Sequence, residues 1–208
     1  MTTDAWVFGY GSLVSPDSVG STIGRPVDVE SGFAAAVLRG YTRSWNYGSL
    51  RQRASWDGPH GRVESGIVVS LGLVARTSDS VNGAVVRVGA DELAELDRRE
   101  SDYDRVDVTE RVERIDDAVT VAGPSRVFTY VPRASAIERY EQARVEFRAA
   151  VRQGYVDLVE RAFASLGVQA SDRYRQTTPA PDVPIVAPER VWLEPHPADG
   201  AATRRDHR

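Results

Sequence analysis

Two glycines frame a short turn near the start of the chain, in Gly9, Tyr10, Gly11, Ser12 and Leu13, called the glycine loop below. Consecutive backbone N–H groups in such a turn can converge on an anion, and glycine lets a backbone approach a ligand closely. The third glycine of a dinucleotide loop and the Gly-Lys-Ser/Thr of a P-loop are both missing. The pattern therefore favours a carboxylate over a pyrophosphate, although a plain β-turn with Tyr10 in the core is the alternative interpretation.

Glu100 closes an acidic segment, residues 90–100, that also contains Asp97 and is predicted to be a short helix. Acidic residues in the first turn of a helix suit its dipole. Charged residues at a helix end are usually solvated, and Arg98 and Arg99 beside Glu100 agree with that interpretation. The charge pattern alone therefore assigns no chemistry to Glu100.

Other catalytic chemistries have little support in the sequence. There is no cysteine, every basic residue except histidine is arginine, and His60, His196 and His207 are too scattered for a metal site. Ser12 does not lie in a Gly-x-Ser-x-Gly elbow, so its hydroxyl or N–H is better placed to bind a carboxylate than to act as a nucleophile. We therefore predict no metal and no cofactor.

Composition limits the partners and the compartment. The 208 residues carry a formal charge of −4 and are 41% hydrophobic, which is typical of a globular domain and gives no basic field for nucleic acid. Tyr41, Arg43, Trp45, Tyr47 and Arg53 could form a stacking platform for a single strand, but the net acidity favours a pocket rim. Without a signal peptide or a run of about 20 apolar residues, we predict no membrane association and a cytoplasmic location. The sequence leaves the oligomeric state open.

Strands outnumber helices along the chain. Period-two alternation and β-forming residues predict strands at 5–8, 34–41, 66–71, 81–88, 105–109 and 126–131, with a long polar loop from Arg43 to Arg62. The segment 135–166 is helical in pattern, with Gly154 as a candidate break between two helices and Gly167 as its stop. Its predicted core positions are Ile137, Tyr140, Val145, Phe147, Val151, Tyr155, Leu158, Val159 and Phe163.

These elements predict an α+β fold. We expect a mixed, mostly antiparallel, partly closed β-barrel of five to seven strands with flanking helices, spanning residues 1–176. Residues 177–208 are rich in proline and are predicted to be an extended C-terminal extension in which residues 191–193 could dock on the domain.

Several motifs in register resemble the γ-glutamylcyclotransferase superfamily. Residues 6–13, Trp-Val-Phe-Gly-Tyr-Gly-Ser-Leu, are similar to its N-terminal signature, above all in the ChaC branch. Residues 37–41 with Trp45, residues 81–100 with a Leu-Asp-x-x-Glu helix, residues 103–108 and residues 126–131 resemble its later elements. The resemblance covers about residues 5 to 165 in the same order.

The resemblance implies a function and a site. Glu100 falls where the family carries its catalytic glutamate, Gly9 to Leu13 where it binds substrate, and Tyr130 where an aromatic lines the pocket; core packing is an equal alternative for Tyr130. Asp97, Asp102 and Asp104 remain rivals of Glu100. The implied reaction is cofactor-independent conversion of a γ-glutamyl amide to 5-oxoproline and a free amine, in which one carboxylate with a raised pKa acts as base and then as acid. The alternatives are a non-catalytic binding member of the fold, an enzyme for a γ-glutamyl intermediate of a biosynthetic pathway, and an interaction protein working through its proline-rich tail.

Overall fold

A computed structural model describes residues 5–114 and 126–194. Within them, nine strands form one sheet and five α-helices pack around it. The strands are β1 (Ala5–Gly9), β2 (Phe33–Gly58), β3 (Gly61–Val88), β4 (Tyr103–Asp107), β5 (Val112–Arg114), β6 (Val127–Pro132), β7 (Ala149–Arg152), β8 (Ile185–Val186) and β9 (Arg190–Leu193). The helices are α1 (Pro16–Ile23), α2 (Ala90–Arg99), α3 (Ala134–Val145), α4 (Gln153–Ser165) and α5 (Val168–Thr177), and short 3-10 turns lie at Ser12–Val14 and Thr109–Arg111.

The sheet is built around the long hairpin of β2 and β3. Its main path runs β4-β6-β1-β3-β2-β5, with β7 and β8 attached beside β3 and β9 beside β2. Five of the strand pairs are antiparallel, and β1–β6, β3–β7 and β7–β8 are parallel. The prediction of a mixed, mostly antiparallel α+β fold is confirmed, but the sheet is not closed, and it has more strands than the five to seven expected.

The predicted loop from Arg43 to Arg62 is wrong, because most of it is strand. β2 continues to Gly58 and β3 begins at Gly61, so only the tip of a hairpin lies between them. The pairing shifts register between Ser44 and Tyr47 and twice more before the tip. Each shift breaks the period-two alternation by which a strand is identified in a sequence.

The predicted helix over 135–166 is also corrected. α3 ends at Val145, and Ala149, Ala150 and Val151 form β7, parallel to Ile67–Val69 of β3. Val145 and Phe147, expected in the core, are 69% and 61% exposed. Phe147 has φ of 57°, in the left-handed region that ends a helix, so the chain leaves α3 there and turns into the sheet.

The segment that follows α5 packs on the sheet. The indole N–H of Trp45 donates to the Pro179 carbonyl at 2.8 Å, and Val183 is buried. β9 pairs with β2 over four residues, so residues 191–193 do lie on the domain. Pro195, Pro197, His196 and His207 lie outside the described residues, and the division of the chain at residue 176 stays a prediction.

Candidate active site

Close packing determines the shape of the glycine loop. A Cβ on Gly9 would lie 2.6 Å from the backbone carbonyl group of Leu13, which leaves no room for a side chain. A Cβ on Gly11 would lie 2.8 Å from the hydroxyl of Tyr155 on α4. The two glycines therefore let the chain fold back sharply after β1 and bring its backbone against the start of α4.

Hydrogen bonds from three sides hold the loop. Arg43 Nε donates to the Tyr10 carbonyl at 2.9 Å, and the Tyr10 hydroxyl donates to the Tyr130 carbonyl at 2.8 Å. Thr129 Oγ1 donates to the Phe8 carbonyl at 3.0 Å. Within the described residues, the N–H groups of Gly11 and Ser12 have no acceptor, which leaves them free to bind an anion.

Arg43 lies below the loop and is 1% exposed. Its guanidinium lies beside the stacked rings of Phe163 and Tyr174, 4.9 and 5.1 Å from their centroids. Burial lowers its pKa to about 9, so it remains charged at neutral pH, and in the part of the chain that the structure describes it has no carboxylate partner. Its acceptors are neutral oxygens of the loop, of Asn82 and of Thr177 and Thr178 at the C-terminal end of α5. Sequence reasoning placed Arg43 at a pocket rim and did not identify this anchoring role.

Glu100 lies at the C-terminal end of α2, one residue beyond the helix. Its N–H donates to the Leu96 carbonyl at 2.8 Å, and Leu96 is fully buried, so α2 anchors Glu100 against the core. The Glu100 side chain is only 13% exposed. Burial raises the pKa of its carboxyl, and the guanidinium of Arg99 partly opposes that rise. A buried carboxyl with a raised pKa is a stronger base when it is ionised, which suits it to take a proton and return it.

The loop and Glu100 meet, although some ninety residues separate them. Both line a small space of about 30 Å³, called the inner cavity, with Tyr10, Gly11, Ser12, Leu13, Leu71, Glu100, Tyr103, Tyr130 and Tyr155 around it. Ser12, Glu100, Tyr103 and Tyr155 also line a larger space of about 560 Å³, called the outer cleft. The outer cleft has the volume of a small-molecule site, and the inner cavity, which shares four of its lining residues, is lined by four tyrosines.

Tyr130, a predicted substrate-binding residue, lines the inner cavity and is 2% exposed. Its hydroxyl donates to Asp97 Oδ1 at 2.9 Å, so it also connects β6 to α2. Burial raises the pKa of Tyr130, and of Tyr10, Tyr103 and Tyr155, so all four phenols stay protonated at neutral pH and can donate hydrogen bonds.

None of the three rival carboxylates lines the inner cavity, and each forms an ion pair with an arginine from another part of the chain. Asp97 pairs with Arg105, and Asp104 pairs with Arg133 at 2.9 Å; both carboxylates are at least 40% exposed. Asp102 is buried and lines the outer cleft, but Arg139 of α3 binds it at 2.8 Å. Of the four, Glu100 lines the inner cavity together with the glycine loop.

Arg99 is a site residue that sequence reasoning missed. Its Nε lies 3.0 Å from Glu100 Oε1, and its Nη2 donates to Ser12 Oγ at 2.9 Å. Further bonds to the Ser18 carbonyl and to Thr22 Oγ1 hold it against α1. Arg99 therefore connects the carboxylate to the glycine loop, and its position next to Glu100 in the sequence was the available signal.

A second cavity of about 700 Å³ lies away from this site, beside the hairpin tip, and includes Trp56, His60 and Phe147 in its lining. None of the sequence-predicted site residues lines it. Across residues 5–114 and 126–194, no cluster of three His, Asp or Glu side chains could hold a metal ion. The helices in the same ranges include none that is long and apolar enough to span a membrane.

Comparisons with known proteins identify the fold. No protein-family model and no curated protein matches the chain. A crystal structure of the glutathione-specific γ-glutamyl cyclotransferase of yeast matches with 12% identity over 85% of this chain and 97% of that chain, at a TM-score of 0.53. A second structure of that yeast enzyme gives 13% identity, coverages of 84% and 95%, and a TM-score of 0.50.

An Arabidopsis thaliana protein of known solution structure is 28% identical over 65% of this chain, at a TM-score of 0.42. The match spans 64% of that protein, slightly less than two thirds of its length. The likeness to the yeast structures shows that the chain has the γ-glutamyl cyclotransferase fold, as the sequence motifs predict, while its activity has to be argued from the site.

Proposed function

We propose that the protein is a γ-glutamylcyclotransferase-type enzyme that converts a γ-glutamyl amide to 5-oxoproline and a free amine or amino acid. The observation that carries the proposal is the buried carboxyl of Glu100, with its raised pKa, in one cavity with the glycine loop. Acid–base chemistry needs such a carboxyl, and binding of the substrate's α-carboxylate needs free N–H groups close to it.

The reaction requires a single protein group that moves a proton. Ionised Glu100 takes a proton from the substrate α-ammonium group, and the amine nitrogen attacks the γ-carbonyl carbon to close a five-membered ring. Glu100 returns this proton to the leaving nitrogen as the bond from that carbon to it breaks. Glu100 then relays the second proton of the ring nitrogen to the departing amine, which leaves as an ammonium ion. The products contain all the atoms of the substrate, without water or an enzyme-bound intermediate, and the carboxylate is regenerated.

Other groups around the inner cavity bind and orient. The N–H groups of Gly11 and Ser12 suit the substrate α-carboxylate or the developing oxyanion, and the phenols of Tyr103 and Tyr155 are donors at the same place. Because ring closure is intramolecular, a cavity that holds the γ-glutamyl chain folded supplies much of the rate. We further propose that the protein works in the cytoplasm without a cofactor, on a small γ-glutamyl substrate.

A second candidate is a binding protein with the same fold. The ion pair between Arg99 and Glu100 favours this alternative, because a carboxylate held by a guanidinium is a weaker base. A binding protein would retain the ligand unchanged, whereas the enzyme would release 5-oxoproline.

The test is the release of 5-oxoproline by the purified full-length chain. Glutathione, γ-glutamyl amino acids and γ-glutamyl amines are incubated with the protein, and 5-oxoproline is measured by mass spectrometry against a protein-free control. We expect catalytic turnover of at least one compound. Binding of these compounds by calorimetry without release of 5-oxoproline would favour the binding protein instead.

Replacing Arg99 by Gln is expected to move the acid limb of the pH–rate profile to higher pH. Arg99 lowers the pKa of Glu100 against the effect of burial, so its removal raises that pKa. The base is active when ionised, so activity rises with pH through the pKa of Glu100, and a higher pKa delays that rise. The measurement is kcat/KM from pH 5 to 9 on one substrate for both proteins, so that the substrate's own titration cancels.

Arg98→Gln is the matched control, because Arg98 pairs with Glu95 and its side chain is 69% exposed. A much smaller shift is expected for it. An unchanged or lowered midpoint in Arg99→Gln would contradict the assignment of the acid limb to Glu100.

A further inference from the structure

The last described strand, β9, brings an apolar side chain to the outer cleft. Leu193 lies opposite Gln52 of β2 and lines the cleft, yet it is 63% exposed. A large apolar side chain gains nothing from water at such a position, and its burial by a bound molecule would be favourable. The sequence analysis assigned this segment no part in the site.

β9 is held at both ends, so the position of Leu193 is well defined. At one end, Arg62 binds the Glu189 carboxylate through two bonds of 2.7 Å. At the other end, the Glu194 N–H donates to the Arg51 carbonyl at 2.8 Å, and Arg51 Nε donates to the Glu194 carbonyl at 2.9 Å. These bonds fix β9 to the edge of β2 beside the candidate active site.

Leu193 is one of three leucines in the otherwise mostly polar lining of the outer cleft, together called the apolar wall below. Leu50 and Leu158 also line the outer cleft, and none of the three leucines lines the inner cavity. The leucines therefore lie where the half of a substrate beyond the γ-glutamyl group would extend. Three leucines from β2, α4 and β9 favour an apolar side chain in that half.

The same cleft offers positive charge. Arg51 and Arg152 line it, and among the residues that the structure describes neither has a carboxylate partner within 4 Å. The Glu194 carboxylate, which lies closest in sequence to Leu193, pairs with Arg53 instead. Two such cations beside an apolar wall match a molecule with a carboxylate and an apolar side chain.

We propose that the outer cleft is a leaving-group subsite for apolar amino acids, with Leu193 as a specificity-determining residue. The proposal rests on the proposed function, and it narrows the substrate class to γ-glutamyl conjugates of amino acids such as leucine. The C-terminal segment, through β9, then completes the site.

The test compares three substrates that differ in one feature each. These are γ-glutamyl-leucine, γ-glutamyl-glycine, which lacks the apolar side chain, and γ-glutamyl-isoamylamine, which lacks the second carboxylate. We expect the full-length wild type to have its highest kcat/KM for γ-glutamyl-leucine. Leu193→Ser should lower the leucine-to-glycine ratio of kcat/KM by about tenfold, the low end of the discrimination that an apolar pocket gives. Arg152→Gln should lower the ratio of γ-glutamyl-leucine to γ-glutamyl-isoamylamine.

Val191→Ser is the matched control, since Val191 lies on the same strand and does not line the cleft. It should leave both ratios unchanged, and circular dichroism checks the fold of each variant. If neither these conjugates nor glutathione yields 5-oxoproline, the proposed function fails and this proposal fails with it. If glutathione alone is turned over, the proposed function stands and only the subsite assignment is overturned. If the conjugates are turned over but Leu193→Ser keeps the wild-type leucine-to-glycine ratio, or the wild type prefers γ-glutamyl-glycine, only the subsite assignment is overturned.

Discussion

Replacing Glu100 by Gln is expected to lower kcat for 5-oxoproline release by about 10²–10⁴-fold, the usual contribution of general acid–base catalysis. Gln keeps the size of the side chain and can still accept a hydrogen bond from Arg99. It cannot take the proton from the substrate amine or return it to the leaving nitrogen. The measurement is kcat and KM on the substrate that the wild type turns over fastest, and we expect the loss to lie mainly in kcat.

The stability of Glu100→Gln separates lost chemistry from lost folding. Burial raises the folded-state pKa of Glu100 above its unfolded value, so folding favours the protonated form. The native state is therefore penalised as pH rises through the window between the unfolded and the folded pKa, and the neutral Gln removes that penalty. We expect the Tm of the variant at pH 8 to be no lower than that of the wild type.

Asp104→Asn is the matched control, because Asp104 is 65% exposed and pairs with Arg133 at the surface. It should retain wild-type turnover. Asp102→Asn tests the rival that also lines the cleft. Wild-type turnover by Glu100→Gln, together with a large loss in Asp102→Asn, would move the base to Asp102; full turnover by every carboxylate variant would discard the mechanism.

Local patterns predicted the elements that position Glu100 and the glycine loop. β1 is a run of β-forming residues that ends at Gly9, and α2 has the acidic first turn and the buried Leu96 of an amphipathic helix. Their meeting in one cavity is a tertiary contact, which composition and periodicity do not contain. The sequence pointed to it only through the resemblance to a known family, which supplied the position of Glu100.

The wrong secondary-structure predictions concern segments in which pairing with a distant strand overrides the local sequence preference. Ala149, Ala150 and Val151 follow a helix and precede another, so the sequence reads as one helical run, yet β3 offers them an open edge and they form β7. Polar residues between Arg43 and Arg62 suggested a loop, but the inward face of β2 there carries Trp45 and Trp56, which are buried. Arg43 itself was predicted to lie at a pocket rim, because no local pattern identifies an arginine that is buried against neutral oxygens.

Replacing Arg43 by Met is expected to destabilise the protein by about 3–5 kcal/mol, a large share of the stability of a domain. Met fills much of the same space beside the stacked rings of Phe163 and Tyr174, so the loss of packing is small. The carbonyl oxygens of Tyr10 and Asn82 would then stay buried without their donor. Each buried acceptor left unpaired costs about 1–3 kcal/mol, and the interaction of the cation with the two rings is lost as well.

The free energy of unfolding is measured by urea denaturation. Arg76→Met is the matched control, since Arg76 is 67% exposed and its carboxylate contact is 3.7 Å long, and a change within about 0.5 kcal/mol is expected for it. The loss of unfolding free energy in Arg43→Lys should lie between those of Arg43→Met and Arg76→Met, because one ammonium group cannot reach the loop, Asn82 and the threonines at the end of α5 together.

The Arg43 variants also test whether Arg43 positions the glycine loop for substrate binding. Because Arg43 holds the Tyr10 carbonyl, its loss frees the glycine loop, and we expect Arg43→Lys to raise KM more than it lowers kcat. This split distinguishes positioning of the loop from general destabilisation, which would lower the amount of active enzyme and leave KM unchanged. An Arg43→Met protein as stable as the wild type would show that the two carbonyls find other donors and that Arg43 is not required to hold the loop.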